Sequence, residues 1–480
     1  MTPRRIRAAS LTRLLGAWRG EQAGPTYRQL ADGLRLLILD GRLPLDVVLP
    51  GERELAHALE VSRTTVTAAF GRLREQGFLH SRQGAGARTR LPAGPGQRGF
   101  SPLLPADQPG LIDLIAAAMP AGEFVHQAYA AALSALPAHL PHHGYEPVGL
   151  TVLREAIAAR YTRRGLPTTP DQVMVTHGAQ HAWALMLRLC AGPGDRVVID
   201  HPTYPNAIDA ILRASCRPVP VSLPAEGWDV EGYCAAFQQS GPKLAHIIAD
   251  YHNPTGRWMD FAAREAIAAA GARTRTLVVF DETMLDLWLD EPRASYGFEE
   301  PPGAVVRLGS AGKSFWGGLR IGWIRAEADL ISALGTMRAS IDLGTPVLEQ
   351  LAAAALLSDD EAALEARRAV LRERRARLLA LAAERLPDWR LEAPPGGLSV
   401  WAELPAPVSS ALAATSERFG VRVAAGPRFG LDGAFDRFLR LPFTLPPEQM
   451  GEAMDRLAMA YARLRPTAAA GARASAGAVV

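Results

Sequence analysis

Lysine is nearly absent from this chain of 480 residues. Only Lys243 and Lys313 occur, and the other 50 basic residues are arginine. Arginine does not deprotonate in proteins, so it cannot attack an aldehyde as an amine does. A lysine retained at position 313 against such a bias therefore indicates chemistry that only an amine performs.

Cysteine is also scarce, and long hydrophobic runs are missing. The three cysteines (Cys190, Cys216 and Cys234) show no CxxC spacing, which argues against a disulfide framework and a zinc site, and we expect no metal. No apolar run reaches the ~18 residues of a membrane helix, and the basic N-terminus lacks the apolar core of a secretion signal. The sequence predicts a cytoplasmic protein without a membrane partner.

The net charge of +3 is distributed unevenly. Residues 1–90 contain 15 Arg, no Lys and 8 Asp or Glu, a net charge of +7, which leaves −4 for the remainder. A basic segment on an acidic body favours nucleic acid as the partner of that segment, although a solvated basic face is an equal alternative on charge alone.

Helical spacing and turn residues organise the N-terminal part of the chain. Apolar residues recur with helical period in TYRQLADGLRLLILDGRL and VSRTTVTAAFGRLREQGF, and a glycine-rich turn separates two strands in FLHSRQGAGARTRL. This order predicts an α+β winged helix-turn-helix over residues 26–90. Residues 91–110 are rich in Pro and Gly and predict a linker.

Between residues 111 and 466, strand-like runs alternate with helical ones. The runs QVMVTHG, DRVVIDH, AHIIADY, TLVVFDE and AVVRLGS are short and nearly all apolar, which is typical of a parallel sheet buried on both faces. The helical stretch 359–386 and the strand-like WRLEAPPGGLSVWAEL and FDRFLRLPF predict a smaller α+β lobe. The fold class is therefore multi-domain, a winged helix followed by an α/β domain, and residues 467–480 predict a disordered tail.

The stretch GSAGKSFWGGLR, which contains Lys313, permits two interpretations. A P-loop for ATP needs a glycine six residues before the lysine, and that position is Arg307. The alternative is an anchor for pyridoxal phosphate (PLP), with Ser310 and Arg320 flanking the lysine. The spacing favours the second interpretation.

LPGERELAHALEVSRTTVTAAFGRLREQGFLHSRQGAG resembles the GntR-type winged helix over nearly all of residues 26–90. The resemblance implies that Arg53 contacts phosphate, that a recognition helix in the major groove begins at Ser62, and that the wing tip lies near the minor groove. Paired bonds from Arg63 to guanine agree with this. The implied DNA-binding residues are Arg53, Ser62, Arg63, Thr64, Thr65, Arg82, Gly84 and Gly86.

From Tyr145 to Phe443 the chain resembles fold-type I aminotransferases of class I and II. The resemblance implies that Lys313 holds PLP as an internal aldimine, that Asp281 pairs with the pyridinium nitrogen, and that Arg440 in FLRLPF clamps a carboxylate. A phosphate is expected at the amides of the THGAQHAW junction. The implied cofactor residues are Tyr145, Gly178, Ala179, Gln180, Tyr204, Asn253, Asp281, Thr283, Ser310, Lys313 and Arg320.

One feature departs from that family's pattern. Aminotransferases usually place a tyrosine two or three residues after the aspartate, to share the hydrogen bond to the cofactor's O3′. Here those positions are Thr283 and Met284. A threonine hydroxyl substitutes only in part and a methionine not at all, so we expect altered aldimine chemistry and weakened catalysis.

A GntR-like reader joined to an aminotransferase-like body resembles the MocR family of bacterial transcription regulators, over about residues 26–466. The resemblance implies a domain-swapped homodimer at the nucleoid that binds operator DNA and responds to an amine, an amino acid or PLP itself through Lys313. The alternatives are a working aminotransferase with a DNA-binding head, and a DNA-binding protein whose PLP is only structural. The effector, the operator and the sign of regulation do not follow from the sequence.

Overall fold

The computed structural model describes residues 5–19, 24–39, 42–44, 47–82, 86–90, 110–224, 227–292, 298 and 300–464, with residues 39, 81 and 82 described by their backbone alone. The predicted linker up to residue 109 and the predicted tail lie outside the described residues, as do Gly84 and the side chain of Arg82.

The described residues of the head, defined here as residues 5–90, form four helices and one antiparallel pair of strands. In chain order these are α1 (Ala8–Leu15), α2 (Thr26–Leu39), α3 (Glu52–Ala58), α4 (Arg63–Glu75), β1 (Leu79–Arg82) and β2 (Gly86–Thr89). The apolar stripe predicted on α4 faces inward, because Val66, Phe70 and Leu73 are at most 1% exposed. Leu11 and Leu15 of α1, which precedes the predicted winged helix, are buried in the same core. The helix-turn-helix with a wing is confirmed.

The body, defined here as residues 110–464, alternates strands and helices. In chain order it contains β3 (Ile112–Asp113), α5 (Glu123–Ala135), α6 (Thr151–Arg163), β4 (Val173–Thr176), α7 (Ala179–Cys190), β5 (Arg196–His201), α8 (Pro205–Arg213), β6 (Arg217–Ser222), α9 (Val230–Ser240), β7 (Leu244–Ile247), α10 (Phe261–Thr274), β8 (Leu277–Asp281), β9 (Val305–Ser310), α11 (Ala311–Ser314), β10 (Gly322–Arg325), α12 (Ala328–Arg338), α13 (Val347–Ser358), α14 (Glu361–Arg385), β11 (Ser399–Glu403), α15 (Ser409–Ser416), β12 (Val421–Arg422), β13 (Ala424–Ala425), β14 (Phe438–Pro442) and α16 (Pro447–Ala462).

A seven-stranded sheet in the order β4-β10-β9-β8-β7-β5-β6 forms the centre of the body. Its strands are parallel except β10, which is antiparallel to β4 and β9. The five predicted strands are β4, β5, β7, β8 and β9, and their apolar side chains pack against helices on both faces. Because β8, β9 and β4 end at one edge, the residues that follow them meet there, as ligand-binding residues do in open α/β sheets.

The smaller lobe contains a three-stranded antiparallel sheet, β11-β14-β13, packed against α14, α15 and α16. Its central strand β14 carries Arg440, which pairs with Trp401 of β11 and Ala424 of β13. The predicted small lobe is confirmed, and it brings the carboxylate-binding candidate toward the edge of the large sheet. Within the part of the chain described, no helix combines the length and apolar character required to cross a bilayer.

Candidate cofactor site and nucleic-acid interface

Lys313 lies on the one-turn helix α11, immediately after β9. Its Nζ atom donates a hydrogen bond to the backbone carbonyl of Ala117 at 2.6 Å. Burial, followed by the charges of Arg440 and Arg320, lowers the pKa of the amine to about 8 against the opposing effect of Asp281. A lysine with this pKa is partly neutral near neutral pH, which is the state that attacks a carbonyl carbon.

Asp281 is the last residue of β8 and is 8% exposed. Its Oδ1 accepts a hydrogen bond from the backbone N–H of Thr283 at 2.9 Å, and its Oδ2 lies 3.7 Å from Nε2 of His246. Among the residues that the structure describes, neither Nδ1 of His246 nor the Thr283 hydroxyl has a hydrogen-bond partner, although both atoms are buried. Buried polar atoms are normally satisfied, so unsatisfied atoms beside a carboxylate indicate a site built for another group.

Arg440 is buried at the edge of the small lobe. Its guanidinium donates to the side-chain oxygen of Asn253 at 3.2 Å and to the backbone carbonyl of Ile115, and its Cζ lies 5.1 Å from the ring centre of Phe429. Burial lowers the pKa of Arg440 to about 10. Among the described residues Arg440 forms no salt bridge, in contrast to buried Arg264, which pairs with Asp250.

The predicted phosphate-binding residues meet at the N-terminus of α7. Gly178 caps α7 with φ +87°, and a Cβ there would lie 3.1 Å from Nη2 of Arg320. Arg320 donates to the carbonyl oxygen of His177 at 2.7 Å, and Ser310 Oγ accepts from the Gly312 amide at 3.0 Å. A free helix N-terminus beside a guanidinium and a hydroxyl has the donors and charge that a phosphate requires.

Ala179 and Gln180 begin α7, so their amides belong to its unpaired first turn. The side chain of Gln180 donates to the carbonyl oxygen of Asn206. Tyr204 caps α8, its hydroxyl accepts from the Asn206 side chain at 2.8 Å, and burial followed by the charge of Asp281 raises its pKa. Tyr204 therefore lies within electrostatic range of Asp281.

Tyr145 makes no described contact with the other predicted cofactor residues. It is 60% exposed, and its described contacts are a backbone hydrogen bond to Nδ1 of His143 and stacking of the two rings, whose centres are 5.7 Å apart.

A histidine cluster that the sequence analysis did not identify lies beside the phosphate end. The backbone N–H of His177 donates to Nδ1 of His181 at 3.1 Å, so the ring proton of neutral His181 lies on Nε2, 3.1 Å from Oδ2 of Asp342. Burial lowers the pKa of His181 to about 4. The cluster is thus held by hydrogen bonds of a neutral ring, and it ties the segment at Asp342 to the start of α7.

The sequence analysis also missed two backbone carbonyl groups and a histidine that contribute to the site. The carbonyl groups of Ile115 and Ala117 hold Arg440 and Lys313, and backbone groups leave no side-chain signal in a sequence. His246 faces Asp281 because β7 and β8 are paired in parallel with His246 opposite Val279, two residues before Asp281. That register is set by the pairing of the two strands in the sheet, and the nearly continuous apolar runs AHIIADY and TLVVFDE do not reveal it.

The head presents its predicted DNA-binding residues at the start of α4. The Ser62 hydroxyl caps the helix by accepting from the Thr65 amide at 3.1 Å, and it lies 2.7 Å from the hydroxyls of both Thr64 and Thr65. The Arg63 side chain is 59% exposed, with its Nε 3.9 Å from Glu52. Arg53 of α3 is exposed, and Gly86 begins β2 in the wing. The expected start of a helix at Ser62 is confirmed, and the roles in DNA binding stay predictions.

Two family models match the chain. The model described as aminotransferase class I and II matches residues 120–457, and that of the bacterial regulatory proteins of the gntR family matches residues 26–88. The chain belongs to the class I and II aminotransferase family. Its GntR-type head makes it a fusion of the MocR type.

Named relatives come from both classes of protein. The HTH-type transcriptional regulator YisV of Bacillus subtilis is 28% identical over 414 residues, 78% of this chain and 84% of its own length. The probable rhizopine catabolism regulatory protein MocR of Rhizobium meliloti is 27% identical over 399 residues, 76% of this chain and 78% of its own. The 2-aminoadipate transaminase of Thermus thermophilus is 30% identical over 329 residues, 67% of this chain and 80% of its own.

The fold is shared with solved aminotransferases. The crystal structure of LysN, an α-aminoadipate aminotransferase from Thermus thermophilus, matches with a TM-score of 0.65 and 26% identity, over 74% of this chain and 93% of that one. Class I and II aminotransferases are PLP-dependent, and the residues of this site fit that cofactor. The unsatisfied atoms beside Asp281 and the glycine-lined helix start at Gly178 are where its ring and phosphate require room and donors. The protein is a PLP-dependent regulator of the MocR type.

Proposed function

We propose that the body senses a ligand that carries both an amine and a carboxylate, or PLP itself, and that the head binds double-stranded operator DNA. The observation that carries the sensing half is Arg440, a buried guanidinium without a salt bridge among the described residues, within electrostatic range of the amine of Lys313. A buried charge needs a partner, and a carboxylate matches a guanidinium with two parallel hydrogen bonds. An amino acid fits the pair better than a simple amine.

Different residues of the site would hold the cofactor and the ligand. Bound PLP supplies an aldehyde that links covalently to amines. Ser310 and Arg320 would hold its phosphate, and Asp281 would hold a proton on its ring nitrogen. Lys313 would compete with the ligand amine for the aldehyde, while Arg440 orients the ligand carboxylate. Ligand binding changes DNA binding only if the two head arrangements differ in ligand affinity.

An absorption titration tests this function. The PLP-loaded protein is titrated with a panel of amines and amino acids, and borohydride trapping with peptide mapping assigns the covalent link to Lys313 or Lys243. We expect one amino acid to shift the absorption band in a single step that is followed by no further reaction. Arg440→Gln should weaken the binding of that amino acid by roughly 1.5–3 kcal/mol, the range for hydrogen bonds to charged groups. Lys243→Ala is the matched control and leaves the spectrum unchanged. A band that no compound alters would contradict sensing of an amino acid and leave PLP itself as the ligand.

Turnover is the second candidate function. It is favoured by the presence of Lys313, Asp281 and Arg440 together, and by the likeness to the 2-aminoadipate transaminase. If the band collapses with an amino acid and a keto acid restores it, the body is a working aminotransferase. If Lys313→Ala keeps both DNA affinity and the ligand response, PLP is structural only.

The same proposal includes a homodimer. Large apolar side chains are exposed on α5, on α6 and in the segments near residues 140–145 and 341–343; they are Phe124, Leu133, Leu140, Tyr145, Val152, Ile341 and Leu343. A second copy covering this face would bring Tyr145 to the partner's site, as the family resemblance implies. The nineteen residues between Arg90 and Gly110 reach at most about 65 Å when extended, a length that serves a head docked on the small lobe of its own chain as well as one exchanged onto the small lobe of the second copy. Sedimentation of the full chain measures the oligomeric state.

Operator binding rests on the start of α4. Helix-turn-helix proteins place this part of the recognition helix against base edges, and small hydroxyl side chains such as those of Thr64 and Thr65 permit close approach. The exposed Arg53 is suited to a phosphate. The proposed site of action is the nucleoid in the cytoplasm.

A further inference from the structure

The head rests on the small lobe through one buried carboxylate, Asp436. Its Oδ2 accepts a hydrogen bond from the backbone N–H of Ala17 at 2.9 Å, just after α1. Its Oδ1 accepts from the Ser410 amide at 2.8 Å and from the hydroxyls of Ser409 at 3.0 Å and Ser410 at 2.6 Å, at the start of α15. Asp436 is 8% exposed, so these bonds are shielded from water. One carboxylate therefore joins the head to a helix of the body.

Two ion pairs extend the same contact. Arg418, which follows α15, pairs with Asp32 of α2, and Glu417 pairs with Arg35 of α2. A Cβ on Gly433 (φ +80°) would overlap the carbonyl oxygen of Arg13 in α1, so the backbones of head and lobe are in direct contact there.

The segment that contains Asp436 also borders the candidate ligand site. Residues 426–437, here called the bridging segment, lead directly into β14 and Arg440. Phe429 lies under the Arg440 guanidinium, and its carbonyl accepts from the Thr203 amide at 2.8 Å, next to Tyr204. The Leu431 amide donates to Nε2 of His201 at 3.0 Å. One end of the segment touches the ligand site and the other touches the head.

The bridging segment is held in a strained conformation. Asp432 and Phe435 have φ of 54° and 69°, a region that residues with side chains seldom adopt. The ring of Phe435 lies 4.6 Å from that of His201 and 6.4 Å from that of Trp401. Strained residues held by surrounding packing are concentrated in switch regions, because a second arrangement is then near in energy.

We propose that the bridging segment couples ligand binding at Arg440 to release of the head from the small lobe. This inference rests on the proposed function. In the present structure Arg440 donates to the Ile115 carbonyl and the head is docked. A ligand carboxylate competes with that carbonyl for the guanidinium, which moves Arg440 relative to Phe429 and disfavours the packing that holds Asp436 against Ala17. Ligand binding and docking of the head on the small lobe therefore oppose each other.

Thermodynamic linkage makes the proposal testable from the side of the head. Ala17→Pro removes the N–H group that donates to Asp436, and Asp32→Asn removes the ion pair with Arg418. Neither Ala17 nor Asp32 belongs to the ligand site. Because coupling between sites is reciprocal, both variants should tighten ligand binding, by at least about fivefold for typical coupling energies. Asp209→Asn, which breaks the exposed pair with Arg213, is the control and leaves the affinity unchanged.

The experiment uses the full chain loaded with PLP and maleate, a dicarboxylate that lacks an amine. Hydrogen exchange of the peptide around Ala17 should accelerate when maleate is added, and Arg440→Gln should abolish maleate binding. If maleate binds through Arg440 but neither the exchange nor the affinities of the two head variants change, the coupling is wrong while the proposed function stands.

A different result would contradict the carboxylate site instead. If maleate does not bind the wild-type chain, exchange in Arg440→Gln alone decides the coupling, because loss of its contacts to Ile115 and Phe429 should itself accelerate exchange near Ala17. Unchanged exchange in that variant would overturn the proposal.

Discussion

The amine of Lys313 is the residue on which cofactor capture depends. Burial lowers its pKa to about 8, against roughly 10.4 for lysine in water. Below the pKa the neutral fraction rises about tenfold per pH unit, and above it the fraction levels off. We expect the rate of PLP capture by the cofactor-free chain to rise from pH 6 and level off above about pH 8, measured by stopped-flow absorption.

A variant of Arg440 provides a control for this pH profile. Arg440 also lowers the pKa of Lys313, so Arg440→Gln should move the midpoint of the rate profile to higher pH. Lys313→Ala should give no aldimine band. A midpoint near 10 in the wild-type chain would show that the amine is solvated.

Arg63 is the side chain best placed to distinguish bases. It is exposed at the first turn of α4, and its only described ion-pair partner is Glu52 at 3.9 Å. Arg63→Ala should relax base preference at one operator position, because a bidentate contact to guanine discriminates by roughly 1–3 kcal/mol. The measurement is binding to a set of operators with single base changes.

Arg74 provides the matched comparison for Arg63. It contacts the same Glu52 at 3.5 Å but belongs to the last turn of α4. Arg74→Ala removes the same charge, so it should weaken all operators about equally without altering their order. Identical profiles for the two variants would argue against base reading by Arg63.

At the scale of elements, Asp286 joins three parts of the body. It pairs with Arg160 on α6 and with Arg164 just after it, and it accepts a hydrogen bond from Ser314, the residue after Lys313. Although burial opposes ionisation, these two arginines hold the pKa of Asp286 well below its usual range. Asp286→Asn removes the buried carboxylate that both arginines share and leaves Arg160 its pair with Asp360, so it should cost about 3 kcal/mol of unfolding free energy, the low end for a broken buried pair.

Urea unfolding measures that loss, and pH provides a second test. A depressed folded-state pKa means that the stabilisation is complete above the unfolded pKa of about 3.9 and is lost as pH falls through the folded value. The wild-type chain should therefore lose more stability than Asp286→Asn below pH 4. The exposed variant Asp209→Asn should change stability by only about 0.5 kcal/mol, and an equal effect of both would contradict a buried network.

The elements also differ in how far the sequence predicts them. β5, β7, β8 and β9 are continuous apolar runs, and they are the buried centre of the sheet. β6 was not predicted, because RPVPVS contains Pro218 and Pro220, which are tolerated only because β6 lies at the sheet edge. α1 was missed as well, since its burial depends on packing against the rest of the head.

The residues of the candidate site also differ in how far the sequence predicts them. Lys313, Asp281 and Arg440 stand in motifs whose spacing identifies them. The carbonyl groups that hold Lys313 and Arg440, and the approach of His246 to Asp281, depend on how distant segments meet. A single sequence contains no local signal for contacts of that kind.

The apolar side chains exposed on α5, on α6 and near residues 140–145 and 341–343 form the proposed dimer face, and its covering determines how two heads reach DNA. Leu140 is 68% exposed on that face. Leu140→Asp places a charge where the proposed second copy packs, so sedimentation should show a monomer. Two linked heads bind two half-sites of an operator together, and loss of that linkage should cost roughly 100-fold or more in affinity.

Met459 gives the control for the whole-molecule prediction. It is 51% exposed on α16, a helix of the small lobe outside the residues of the proposed dimer face. Met459→Asp should stay dimeric with unchanged operator affinity. In Leu140→Asp the affinity for a single half-site should be kept, because the charge on the body does not alter α4. Loss of half-site binding too would mean that the substitution unfolds the chain, and a dimer that persists would place the interface elsewhere.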